Sequence, residues 1–200
     1  FHDLLTACGK GKLTKVKKML KKKNANVNQV GGRGKNGNTA LIAACLGGQM
    51  KVIKHLLKMK GIQVNQTITN GSTALYAACQ MGRVAVVKVL IARKEIQINQ
   101  AKEGGQTPLY ITCEHGHVDV VRLLLARKDI KINQAKNDGQ TPLYITCGKG
   151  RVDVVRLLLA RKEIKINQAD AGGFTPLYVT SQKGHVDVVR LLLARKDIQI

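Results

Sequence analysis

One interval governs this sequence. The stretch "GQTPLYITC" at 105–113 returns unchanged at 139–147 and, as "GFTPLYVTS", at 173–181. Thr39, Thr73, Thr107, Thr141 and Thr175 stand 34 residues apart, and Asn65, Asn99, Asn133 and Asn167 keep the same interval. Residues 1–29 fit after a shift of 37, which places three extra residues in "NQVGGRGKNGNT". Self-similarity at such a period marks a chain of stacked supersecondary units, none able to bury its apolar face alone. Six units follow, approximately 1–33, 34–67, 68–101, 102–135, 136–169 and 170–200, in a single domain over 1–200. The last is incomplete, and the pattern predicts a segment of something longer.

Each unit repeats one local plan. In the fourth, Thr107 is suited to cap a helix, and Pro108 suits the first helical position, where its missing N–H has no partner to lose. The helix "PLYITCEH" is expected to stop at Gly116, which tolerates the left-handed conformation that ends helices. "VDVVRLLLAR" reads as a second helix with Val120, Val121, Leu124 and Leu125 on its apolar face. Asp119 in its first turn and Arg127 and Lys128 at its end complement the helix dipole. "IKIN" alternates like an extended segment, and "AKEGGQ" carries turn residues.

These residues carry a resemblance. "GQTPLYITCEHGHVDVVRLLLARKDIKIN" resembles an ankyrin repeat, whose pattern has Gly-x-Thr-Pro-Leu-His, a small-residue pair, Gly-His, a Val-Val-x-Leu-Leu-Leu helix and a terminal Val-Asn. The resemblance implies an all-α repeat fold, an ankyrin-repeat solenoid of stacked helix-turn-helix units joined by β-hairpin-like loops. Tetratricopeptide repeats share the period but need Trp, which the chain lacks, and Pro at other places. The sequence also departs from the family pattern. Tyr76, Tyr110, Tyr144 and Tyr178 stand where the family has His, so each phenol needs a partner. The usual loop Asp survives only as Asp170; Ile68, Lys102 and Lys136 fill the matching places.

"CEHGHVDVV" at 113–121 looks like chemistry. On a continuous helix Cys113 and His117 would share a face. Yet Cys8, Cys45, Cys79, Cys113 and Cys147 all occupy one repeat position, which the resemblance makes small and buried. Stacked helices ~8–10 Å apart cannot bring such thiols within disulfide or zinc-sharing range. Structural filler is the expectation, and free thiols point to a reducing compartment, cytoplasmic or nuclear. His117 and His185 fall at the family's Gly-His turn and are expected to cap or pack it, while His115 reads as a variable surface residue. "GGRGKNG" at 31–37 lacks phosphate-loop spacing and reads as an elongated hairpin tip. No catalytic, metal or cofactor-binding residue and no cofactor is expected. Nor does any apolar run reach the 18 or so residues that span a bilayer.

Charge is uneven. The chain carries 34 Lys+Arg against 12 Asp+Glu, yet Asp3 is the one acid in residues 1–94. Lys54, Lys88, Arg122, Arg156 and Arg190 recur on the second helix, and Lys60, Lys94, Lys128, Lys162 and Lys196 just past it. Such ladders are either a solvated face multiplied by duplication or an anion-binding track. Anion-binding candidates are Lys10, Lys12, Lys15, Lys17, Lys18, Arg33, Lys35, Lys54, Lys88 and Arg122. RNA or ribonucleoprotein, acidic protein tails and anionic lipid all fit them, though nothing aromatic is interleaved for base stacking. The ankyrin resemblance implies instead a protein partner on a concave face of hairpin tips and first helices. The tips are Arg33, Lys35, Lys102, Glu103, Gln106, Lys136, Asn137, Gln140 and Phe174; the helix positions are Met81, Glu114, His115, Lys149, Gln182 and Lys183. Phe174, with Gln106 and Gln140 as counterparts, is a candidate hot spot.

Overall fold

The computed structural model describes residues 2–22, 25–31 and 37–200. It divides into two compact units, Phe1–Glu103 and Gly104–Ile200. In the first lie α1 (His2–Gly9), α2 (Leu13–Leu20), α3 (Ala40–Leu46), α4 (Met50–Leu56), α5 (Ala74–Gln80) and α6 (Val84–Ile91). In the second lie α7 (Pro108–His115), α8 (Val118–Leu125), α9 (Pro142–Gly148), α10 (Val152–Leu159), α11 (Pro176–Gln182) and α12 (Val186–Leu193). Within the first unit α1, α3 and α5 pack in series, α2, α4 and α6 form a second layer, and each pair is joined by a tight turn. The second unit repeats this with α7, α9 and α11 against α8, α10 and α12.

The helix starts follow from the threonines. Thr39, Thr73, Thr107, Thr141 and Thr175 are extended residues whose hydroxyls accept a hydrogen bond from the backbone N–H three residues on. This satisfies one of the N–H groups a helix leaves unpaired. Gly116, at φ +76, closes α7 in the left-handed region as expected. The core is the apolar side of each layer: Val120, Val121 and Leu124 are fully buried in α8, and Val155 and Leu158 in α10.

The expected extended segment is different. Residues 130–133 form no strand, and Gln134 N–H turns back to the Lys131 carbonyl at 3.1 Å. The alternation survives as burial only, with Ile132 inside and Lys131 outside. Side chains replace strand pairing here. Asn133 donates through Nδ2 to the Glu163 carbonyl at 2.7 Å and accepts through Oδ1 from the Lys165 N–H at 3.0 Å. Asn28, Asn65 and Asn167 make the same two-bond clasp onto the following repeat.

A second clasp runs beside the first. Arg161 donates to the Leu125 carbonyl at 2.8 Å and pairs with Glu163 at 2.8 Å. Arg93 and Arg195 likewise reach the carbonyls of Leu57 and Leu159 in the repeat before. The arginine supplies a donor to a helix C-terminus that otherwise has open carbonyls. A hydrogen bond from Arg127 and another from Arg195 hold the carboxyls of Asp129 and Asp197 below the ordinary range. Asn133→Ala removes both bonds of its clasp and is expected to cost about 1–2 kcal/mol. Asn133→Asp, which keeps the acceptor, should fall between. Urea midpoints of the three proteins check the order; an unchanged alanine midpoint would show that the clasp is worth nothing net.

Candidate interaction surface

Two candidate surfaces came from the sequence, and their residues are best placed from the helices outward. The Cys113 side chain is fully buried, and burial pushes its thiol up to about 12, a hydrogen bond with Thr146 opposing. Cys8 rises to about 11 for the same reason, and all five cysteines are buried thiols outside any disulfide. A thiol so placed stays protonated and is a poor nucleophile. Cys113 and His117 do not share a helix face, because Gly116 ends α7 and His117 precedes α8. His115 and His117 stack with ring centroids 5.7 Å apart, and His115 Nδ1 lies 3.0 Å from the Ile111 carbonyl. Among the described residues no group of three His, Cys, Asp or Glu could hold a metal ion.

The turn histidines pack rather than cap. Neither His117 nor His185 makes a side-chain cap bond. His185 instead places Nε2 3.2 Å from the Gly148 carbonyl, and its ring lies against Gly150.

Several tip residues serve the stack itself. Lys102 lies over the Tyr76 ring at 5.4 Å, and Lys136 over the Tyr110 ring at 5.8 Å. Lys136 also pairs with Asp138 at 2.7 Å. Gln140 accepts from the Tyr110 hydroxyl at 3.0 Å, which supplies the partner that Tyr needs in place of His. Burial and a hydrogen bond with Asp170 push the Tyr144 phenol up to about 12. Lys102, Lys136 and Gln140 are therefore half-buried struts, as is Gln106 by exposure. Sequence alone shows their place in the loop but not whether each side chain turns outward or onto the neighbouring ring.

The remaining candidates face solvent. Met81 is 45% exposed, Glu103, His115, Asn137, Lys149, Gln182 and Lys183 are exposed, and Glu114 is half-buried. Phe174, 44% exposed, stacks on Tyr178 of its own repeat with centroids 4.6 Å apart. It cannot accept from the preceding tyrosine as Gln140 does, and Asp170 takes that role. On the other surface Lys10, Lys12, Lys15, Lys17 and Lys18 are exposed on and around α2. Lys54 on α4, Lys88 on α6 and Arg122 on α8 are also exposed. Arg33 and Lys35, in the glycine-rich tip, lie outside the described residues. Among the described residues no lysine between 10 and 88 takes part in an ion pair, whereas pairs recur from Arg93 onward.

Family comparison agrees with this geometry. The family profile described as ankyrin repeats (3 copies) matches residues 4–102, 60–136, 95–170 and 129–200. The chain belongs to the ankyrin-repeat family. Comparison with curated proteins found no match. Ankyrin repeats generally serve as protein–protein interaction modules. No helix among the described residues of this ankyrin-repeat chain is long and apolar enough to cross a membrane.

The Asn and Arg clasps were the residues whose role the sequence did not disclose. Their signals were present, as Asn every 34 residues and as "ARKD" or "ARKE" after each later second helix. Both act across 30 residues or more, so nothing local announces the partner.

Proposed function

We propose that this chain is a non-catalytic scaffold that binds another protein through its loop tips and first helices, in a reducing compartment. One observation carries the reading. Buried positions are nearly constant from repeat to repeat, as Tyr76, Tyr110 and Tyr144 or Cys79, Cys113 and Cys147 illustrate. The exposed end of the first helix instead changes in size and charge, running Met81, His115, Lys149, Lys183. A surface that varies over a constant core is what a partner-specific module requires. Phe174 supports the same reading, since an exposed aromatic braced by a second ring presents apolar area at low entropic cost.

The test is capture of partners on the immobilised chain, compared with Phe174→Ala and with His115→Glu/Lys149→Glu. A protein partner on this face should survive nuclease treatment, and Phe174→Ala should weaken it about 30-fold if the ring is a hot spot. Binding indifferent to all three substitutions would refute the reading.

A second reading has its own observation: among the described residues, the lysines before residue 90 are exposed and none takes part in an ion pair. On that reading the N-terminal half docks on a polyanion: RNA or ribonucleoprotein, acidic protein tails or anionic lipid. Raising salt from about 50 to 200 mM should then weaken capture by orders of magnitude. Salt-insensitive capture would leave the first reading alone.

A further inference from the structure

A groove of about 990 Å³ runs along α2. Leu13 and Met19, both half-exposed, give it carbon surface, while Lys15, Lys18 and Lys22 of the α2 segment and Lys51 of α4 surround it. Its volume is at the upper end of what small-ligand pockets enclose, enough for several side chains of a bound segment.

Three features describe what the groove wants. The first is charge. No acid lies among its lining residues, and the one acid of residues 1–94, Asp3, is on α1. The second is the orientation of α2. Lys12 precedes it without a side-chain cap bond, and its first turn holds no acid. Lys12 and Lys15 therefore stand at the positive end of the helix dipole, where a carboxylate is favoured, while Lys18 and Lys22 lie at its other end. The corresponding notches in the second unit are lined by Asp153 and by Asp187, each in the first turn of its helix. The third is the apolar floor, which a purely electrostatic track would not need.

We infer that this groove binds an acidic peptide segment carrying an apolar side chain, with carboxylates on the lysine rim and the apolar group against Leu13 and Met19. The inference rests on the reading of the N-terminal half as anion-binding and names the partner of that surface. Nucleic acid fits less well, because among the described residues nothing aromatic lines the groove to stack on its bases. A lipid surface is flat where the groove is recessed, and Val16, the centre of the apolar face of α2, is wholly buried. Another repeat of this kind is disfavoured by Lys15. The matching Val52, Val86, Val120 and Val154 are all buried, so seating a repeat there would bury a lysine against carbon.

The experiment measures anisotropy of a labelled synthetic peptide, glutamates around one central leucine, on the full chain. Its comparators are the same peptide with serine for leucine, a uridine oligonucleotide of matching charge, and phosphatidylserine-containing vesicles. The leucine peptide should bind about tenfold or more tighter than the serine peptide, the gain expected for burying one such side chain. Lys15→Glu/Lys18→Glu should abolish binding and Lys15→Gln/Lys18→Gln should weaken it, with circular dichroism confirming the fold. Lys58→Glu, an exposed charge reversal off the groove, should not matter. Equal binding of the leucine and serine peptides overturns the inference. Tighter binding of the oligonucleotide or vesicles would also overturn it while leaving the polyanion reading standing. If no anionic probe binds, both fall.

Discussion

Leu158→Ala is expected to destabilise the second unit by about 2–5 kcal/mol. Leu158 is fully buried in α10, which packs on α8, α9 and α12. Truncation removes three carbons from water-excluded contact and leaves a void that rigid helix pairs cannot fully close. In a repeat stack, stability is close to a sum of unit and interface terms, so the loss falls on one repeat and its two interfaces together. Urea denaturation should show a lower midpoint and a less cooperative transition. Leu193→Ala, at a position 48% exposed, should change the midpoint little. Equal effects of the two substitutions would contradict the burial pattern.

Gly139→Ala should be nearly as damaging, for a different reason. Gly139 sits at φ +83, and a Cβ there would lie 2.6 Å from the backbone N of Ala171 and 2.9 Å from the Cα of Asp170. The obstruction is backbone of the next loop, held by the Ala171 N–H bond to the Asp138 carbonyl at 2.8 Å. Gly104 has nearly the same φ, +82, with nothing within 4 Å of a Cβ. The pair separates two terms. Gly104→Ala should cost about 1–2 kcal/mol from the left-handed conformation alone. Gly139→Ala should add about 1–3 kcal/mol for the displaced loop. Thermal or urea unfolding of both variants gives the difference, and equal costs would mean the loops can separate without penalty.

Much of this was legible in the sequence because it depends on neighbours a few residues away. Thr107 caps the N–H three residues on, Pro108 and Gly116 mark the two ends of one short helix, and Val120, Val121 and Leu124 share a face by helical period. The cysteine ladder was readable from the period together with the size of the side chain. What escaped depends on direction across the stack. "IKIN" alternates, but alternation cannot show that Asn133 will reach a carbonyl one repeat away and make a strand unnecessary. Lys136 and Gln140 stand at a loop tip, where a long polar side chain has two uses: it can meet solvent, or it can lie on a neighbouring tyrosine. Phe174 could be seen to break the series at once. That its ring would settle on Tyr178, leaving Tyr144 to Asp170, required coordinates.

The asparagine clasp has a consequence for how such a chain behaves when crowded. Sheet proteins join their parts through strands, and the outermost strand always offers a row of unspent N–H and C=O groups to any passing copy. Here consecutive repeats are joined by side-chain amides whose donor and acceptor are both used within the molecule and by single backbone bonds between loop tips, such as Ala171 N–H to the Asp138 carbonyl, and among the described residues the sole ladder element is an isolated bridge between Gly31 and Asn38. Length can therefore be added repeat by repeat without lengthening a sticky border, so a long member of this design need be no more prone to amyloid-like self-association than a short one.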